Sequence, residues 1–131
     1  MKKLFLDDLR TLEMIYPNTD KSEWVIVRSF HEFVNYINKF GLPDYISFDH
    51  DLGFKHTRFY FQNGGHENPP DPLTADFKEK TGYDAAKWLV EFTINNGLRL
   101  PFWYVHSHNP IGKINIEQYL KNAEKHLGIG K

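Results

Sequence analysis

Four short apolar runs punctuate the chain: Leu4-Phe5-Leu6, Trp24-Val25-Ile26-Val27, Tyr45-Ile46-Ser47-Phe48 and Phe102-Trp103-Tyr104-Val105. They are rich in β-branched and aromatic residues and bounded by polar ones, the pattern of short strands covered on both faces. Helical periodicity fills the spaces between them. Ser29 followed by Glu32 makes a capping box ahead of Phe30, Phe33, Val34 and Ile37, and Gly41 and Pro43 supply the stop. Thr81 and Asp84 repeat the device ahead of Ala86, Leu89, Val90, Thr93 and Ile94, with Gly97 as the stop. Asn109-Pro110 opens a last helix through Ile114, Tyr119, Leu120, Ala123 and Leu127 to Gly128. Leu9, Leu12, Met14 and Ile15 predict a brief helix broken at Tyr16-Pro17-Asn18.

Strands alternating with helices predict βαβ units and a mainly parallel sheet of four strands, or of five with one more, in an α/β fold. Residues 54–80 break the alternation. They carry Gly64-Gly65, Pro69-Pro70 and Pro72 without clear periodicity, which predicts an inserted loop or lid within one domain spanning 1–131.

Composition narrows the function classes. The 131 residues are 40% hydrophobic and 16% aromatic, enough bulky apolar surface to offset chain entropy, so disorder is excluded. Sixteen basic against 17 acidic side chains leave a formal charge of −1, too little field for a duplex-DNA binder. Any nucleic-acid contact is then local, as at an RNA end. The absence of cysteine removes disulfides, thiolate zinc sites and thiol catalysis, and fits a cytoplasmic protein. Asp7 and Asp8 stop the first apolar run too early for a signal peptide, and no run approaches the roughly 20 residues that span a bilayer. No membrane partner is expected.

In a parallel sheet the residues just after each strand converge on one edge. Here these are Asp7 and Asp8, Arg28 and Ser29, Asp49, His50 and Asp51, and His106, Ser107 and His108. Singly, each has a plain structural role: Asp7, Asp8, Asp49 and Asp51 as turn or cap residues, His106 as a satisfied strand-end histidine. Together, four gathered carboxylates repel one another and call for a divalent cation, with Asp7, Asp8, Asp49 and Asp51 as ligands. Oxygen donors favour Mg2+ or Mn2+, while His50, His106 and His108 keep zinc or iron open. Such a cation points to a phosphate-containing small molecule or an RNA end as ligand. His56, His66 and His126 read as loop or surface histidines.

The segments LFLDDLR (4–10), ISFDHDLG (46–53), TGYDAAKWLV (81–90) and YVHSHNPIG (104–112), in that order, resemble the cyclic-phosphate processing receiver-like domains, a branch of the response-regulator receivers. The resemblance spans nearly the whole chain and implies a receiver/flavodoxin-like three-layer sandwich with 54–80 as an enlargement. It matches Asp7 and Asp8 to the metal-holding acidic pair, Asp49 to the acceptor position and Ser107 to the phosphoryl-contacting hydroxyl. No fifth strand followed by the receivers' lysine is visible, and His50, Asp51 and His106 exceed what a phosphoacceptor needs.

The resulting expectation is a metal-dependent phosphoesterase that opens a cyclic phosphate. Asp49 belongs to its catalytic centre, His106 is first choice for general acid or base and His50 second, and Arg10 and Ser107 bind phosphate with the amides of Ile111 and Gly112. Phe59 and Tyr60 are candidates to stack a base. The rival expectation is a receiver-type module that binds a divalent metal, is phosphorylated on Asp49 and engages a protein partner.

Overall fold

All four apolar runs form strands in the computed structural model, which describes residues 1–52 and 80–128: β1 (Lys3–Leu6), β2 (Trp24–Val27), β3 (Tyr45–Phe48) and β4 (Phe102–Val105). They pair in parallel in the order β2-β1-β3-β4. The chain leaves β1 for β2 and then crosses back over β1 to β3. The direction in which successive strands are added therefore reverses between β1 and β3, where open α/β sheets place their ligands. The expected 54–80 insertion, with Phe59 and Tyr60, lies outside the described residues except for Lys80, as do His56 and His66.

Helices α1 (Leu12–Ile15), α2 (Phe30–Phe40), α3 (Gly82–Asn95) and α4 (Pro110–Leu127) complete the described fold, with a short 3-10 turn at Lys21–Glu23. The caps follow the sequence signals. Ser29 Oγ accepts from the Glu32 amide at 3.1 Å, but Glu32 reaches back to the amide of Arg28, one residue before the cap. At α3 the box closes fully: Asp84 Oδ2 accepts from the Thr81 amide at 2.8 Å, and Thr81 Oγ1 accepts from the Asp84 amide at 3.3 Å. Asn109 Oδ1 accepts from the Gly112 amide at 2.9 Å in front of Pro110.

Pleating divides the sheet between two cores. Leu4, Leu6, Val27, Ile46, Phe48 and Val105 face Phe33, Ile37, Ala85, Ala86, Leu89, Ile116 and Leu120 of α2, α3 and α4. Phe5 and Trp24 face the other way, where Leu12, Ile15, Tyr16 and Tyr45 close a smaller aromatic core. The central strands are buried, as a parallel sheet requires, but the expectation that all four strands are covered on both faces fails at the margins. Ile26 is 39% exposed, Phe102 50% and Tyr104 45%. β2 and β4 are the edge strands, and the single turn of α1 is too short to cover that face out to them. No helix among the described residues is long and apolar enough to cross a membrane.

One close approach fixes how α3 meets the sheet. The Gly82 amide donates to the His50 carbonyl at 2.8 Å, and a Cβ on Gly82 would lie 1.8 Å from the Asp49 carbonyl oxygen. Gly82→Ala must therefore push the helix start away from the end of β3. The expected cost is about 1–3 kcal/mol in urea unfolding; an unchanged midpoint would show that the helix relaxes freely.

Candidate functional site

Register builds the site. Leu6 pairs with Val27 and with Phe48, and Phe48 pairs with Val105. The next residue of each strand, Asp7, Arg28, Asp49 and His106, is therefore aligned in one row across the sheet. The ladder continues into that row: the Asp7 amide donates to Val27, Asp49 to Leu6 and His106 to Phe48, at 2.9–3.1 Å. Because Leu6, Phe48 and Val105 face the large helical core, the period of two turns Asp7, Asp49 and His106 to the opposite side, that of Phe5 and Ser47.

The three side chains meet there. One ligand-type atom from each of Asp7, Asp49 and His106 lies within 4.8 Å of the other two, and all three residues are buried. His106 Nε2 donates to Asp7 Oδ2 at 3.0 Å, its Nδ1 is 2.7 Å from Ser47 Oγ, and its ring stacks on Phe5 at 4.7 Å with planes 4° apart. Asp7 Oδ1 accepts from the amides of Leu9 and Arg10 at 2.9 and 2.8 Å, which shapes the turn after β1. Asp49 Oδ1 is different. It is buried and has no hydrogen-bond partner among the described residues.

Arg10 lies within ion-pair range of both carboxyls. Its Nη2 stands 3.9 Å from Asp49 Oδ1 and its Nε 3.8 Å from Asp7 Oδ2, while Nη1 donates to the His106 carbonyl at 3.0 Å. Those separations exceed hydrogen-bond length, so the guanidinium neutralises part of the pocket without satisfying Asp49. Arg28 Nη1 in turn donates to the carbonyls of Asp7 and Arg10 at 3.2 and 2.6 Å and pins the turn that carries both.

The two carboxyls respond in opposite directions. At Asp7 burial pushes the pKa up, but hydrogen bonds from His106 and the amides of Arg10 and Leu9 outweigh it and hold the group below its ordinary value. At Asp49 burial is the main cause, followed by the charge of Asp7. Together they raise the pKa despite the opposing influence of Arg10, His106 and the Ser107 hydroxyl. Among the described residues Arg10 is the one Lys or Arg within ion-pair range of these carboxyls, so with both ionised and His106 neutral the four side chains carry one negative charge.

The other sequence-predicted residues sit around this cluster. Asp8, half-buried in the bend after β1, is not among its three members. Asp51 is 63% exposed at its side chain, and its Oδ1 accepts from His50 Nδ1 at 2.8 Å and Asn109 Nδ2 at 3.3 Å. Burial raises the Asp51 pKa, but the bonds from His50 and Asn109 outweigh it and the net shift is down. His50 is held between Asp51 and the first turn of α4, where a Cβ on Gly112 would lie 2.3 Å from its ring. Ser107 is half-buried beside Asp49, its Oγ accepting from the Asn109 amide at 3.1 Å. His108 is exposed. Ser47, Tyr16 and Gly82 were not singled out from the sequence as site residues, and Gly112 was named only for its amide. Ser47 had a readable signal: it is a lone hydroxyl within an apolar strand.

The pKa directions set signs for stability. A carboxyl whose folded pKa is raised favours the folded state below the unfolded value near 3.8, and this contribution is lost as pH rises through the folded value. Asp7 behaves oppositely: its contribution is present above 3.8 and lost as pH falls through its lowered value. At neutral pH without added metal, Asp49→Asn is therefore expected to raise stability by about 1 kcal/mol, and Asp7→Asn to lower it by about 1–3 kcal/mol. Thermal melts of both variants in chelator check this; a loss in Asp49→Asn as large as that in Asp7→Asn would contradict the assignment of strain to Asp49.

Comparison with curated proteins and with solved structures returns no match. The family model for the cyclic-phosphate processing receiver domain matches residues 2–122, the stretch that contains the four parallel strands, the row of strand-end residues and much of α4. This chain belongs to the cyclic-phosphate processing receiver domain family.

Proposed function

We propose that the chain is a divalent-metal-dependent phosphoesterase that opens cyclic phosphate ends of RNA or nucleotides. The observation that carries this reading is Asp49 Oδ1, a buried oxygen with no hydrogen-bond partner among the described residues, on a carboxyl that clusters with Asp7 and His106. Leaving such an atom unsatisfied costs about 1–3 kcal/mol, a cost that a bound cation would remove. Asp7, Asp49 and His106 would hold the ion. A mixed carboxylate and imidazole set suits Mn2+ at least as well as Mg2+. When bound, the ion polarises phosphoryl oxygens and lowers the pKa of water.

The chain's own residues supply the rest. Arg10, whose guanidinium stands within 4 Å of both carboxylates, would receive a phosphoryl oxygen, and Ser107 would offer a hydroxyl beside Asp49. Proton transfer falls to His50 rather than to His106, whose ring nitrogens are both engaged and whose side chain is 1% exposed. Asp51 orients His50 through Nδ1, and no hydrogen bond among the described residues occupies Nε2. In ring opening, a water oxygen forms the new P–O bond and one P–O bond to the ribose breaks. The water's proton passes to solvent, the departing ribose oxygen receives one from His50 Nε2, which solvent then restores, and the product is a phosphomonoester.

A second reading has one observation in its favour. By resemblance Asp49 matches the receiver acceptor position, and its Oδ1 has no hydrogen-bond partner among the described residues. A lasting aspartyl phosphate without ester turnover would favour that signalling module.

The test is a screen of 2′,3′-cyclic nucleotides and of RNA with cyclic phosphate ends, with Mg2+ or Mn2+. Turnover is expected to vanish in chelator and in Asp49→Asn. His50→Ala is expected to lose about 10²–10⁴-fold in rate with metal affinity unchanged, whereas His106→Ala loses metal binding itself. Metal-independent turnover, or full metal affinity in the His106 variant, would overturn the proposal.

A further inference from the structure

Behind His106 lies a file of hydroxyls with no role in the chemistry above. Ser47 is, among the described residues, the one polar side chain fully buried within a strand. Its Oγ is 2.7 Å from His106 Nδ1 and 2.9 Å from the Tyr16 hydroxyl, which is in turn 3.4 Å from the Tyr45 hydroxyl. Burial, then the hydrogen bond with Tyr16, pushes the Tyr45 phenol above its ordinary pKa, so it stays an O–H group. Phe5 holds the imidazole plane from one face. A serine and a tyrosine needed only for packing could be apolar here at no cost, because Phe5 and Trp24 already form the aromatic core around them.

We propose that Ser47 and Tyr16 are positioning residues that hold His106 in the orientation and tautomer needed to coordinate a divalent cation together with Asp7 and Asp49. This rests on the cation reading of the site and extends it to a pair of residues that touch neither metal nor substrate. In the structure His106 Nε2–H donates to Asp7, so a neutral ring accepts at Nδ1 from the Ser47 hydroxyl, which accepts from Tyr16. To coordinate through Nε2, the ring carries its proton on Nδ1 instead and donates to Ser47, which then donates to Tyr16. Hydroxyls both donate and accept, so the file serves both states without moving a heavy atom. Alanine at 47 would orphan Nδ1 in each. Outer partners of this kind orient imidazole ligands and typically govern about 10–100-fold in metal affinity.

The test uses the whole chain and two probes. In Mn2+ calorimetry Ser47→Ala is expected to bind about 10–100-fold more weakly, Tyr16→Phe is expected to lose less, and Ser47→Thr, which keeps the hydroxyl, to recover most of the affinity. Tyr16→Phe retains the aromatic packing and so reports on the file even if Ser47→Ala folds poorly. In 15N NMR with Zn2+, which is diamagnetic, the proton on the His106 ring is expected to move from Nε2 to Nδ1. Ser47→Ala binding Mn2+ within about twofold of the parent would overturn the positioning role and leave the cation site standing. A His106 that keeps its Nε2 proton while Zn2+ binds would overturn both, as would a parent chain that binds neither ion.

Discussion

Two carboxylates brought together in a buried pocket, with the Arg10 guanidinium as their one ion-pair partner among the described Lys and Arg residues, set the terms for the rest of this molecule. Asp7 and Asp49 reach that position because they continue adjacent central strands in matched register, not because a loop delivers them. Their separation is thus fixed by the strand spacing of about 4.8 Å, and the sheet cannot relax it. Asp7 is fully satisfied by His106 and two backbone amides, whereas Asp49 is left with an orphan oxygen and a raised pKa. Under the proposed reading, that imbalance is what a bound cation would relieve.

The surroundings hold the pocket rigid from several sides. Arg28 ties down the turn after β1 through two carbonyls. Gly82 lets α3 press against the Asp49 backbone, and Gly112 lets His50 lie close against α4. Phe5 fixes His106 from beneath. Each supporting contact comes from a different element, so the geometry of three side chains is determined by the whole sheet and the helices that flank it.

Much of this was legible in the chain itself. The four apolar runs and the caps at Ser29, Thr81 and Asn109 are local signals, and each of them placed its element. The convergence of Asp7, Asp49 and His106 followed from parallel topology alone. What spacing could not supply was which of these acids join: Asp8 and Asp51 are as near in sequence as the residues of the cluster, yet Asp8 is not among its members and Asp51 pairs with His50 and Asn109. The edge positions of β2 and β4 depend on strand order, which no short run encodes, and so their exposure was missed. Tyr16 and Gly82 act through contacts that are distant in sequence, and Ser47 was passed over as the polar member of a mostly apolar run.

The central claim, that a divalent cation rests among Asp7, Asp49 and His106, is most directly tested by anomalous diffraction from crystals grown with Mn2+. The account predicts one strong peak about 2.0–2.3 Å from carboxylate oxygens of both aspartates and from His106 Nε2, with the Arg10 guanidinium still at the pocket mouth. A peak held instead by Asp8 or Asp51, or a pocket in which Arg10 has closed onto both carboxylates and no peak is found, would contradict it.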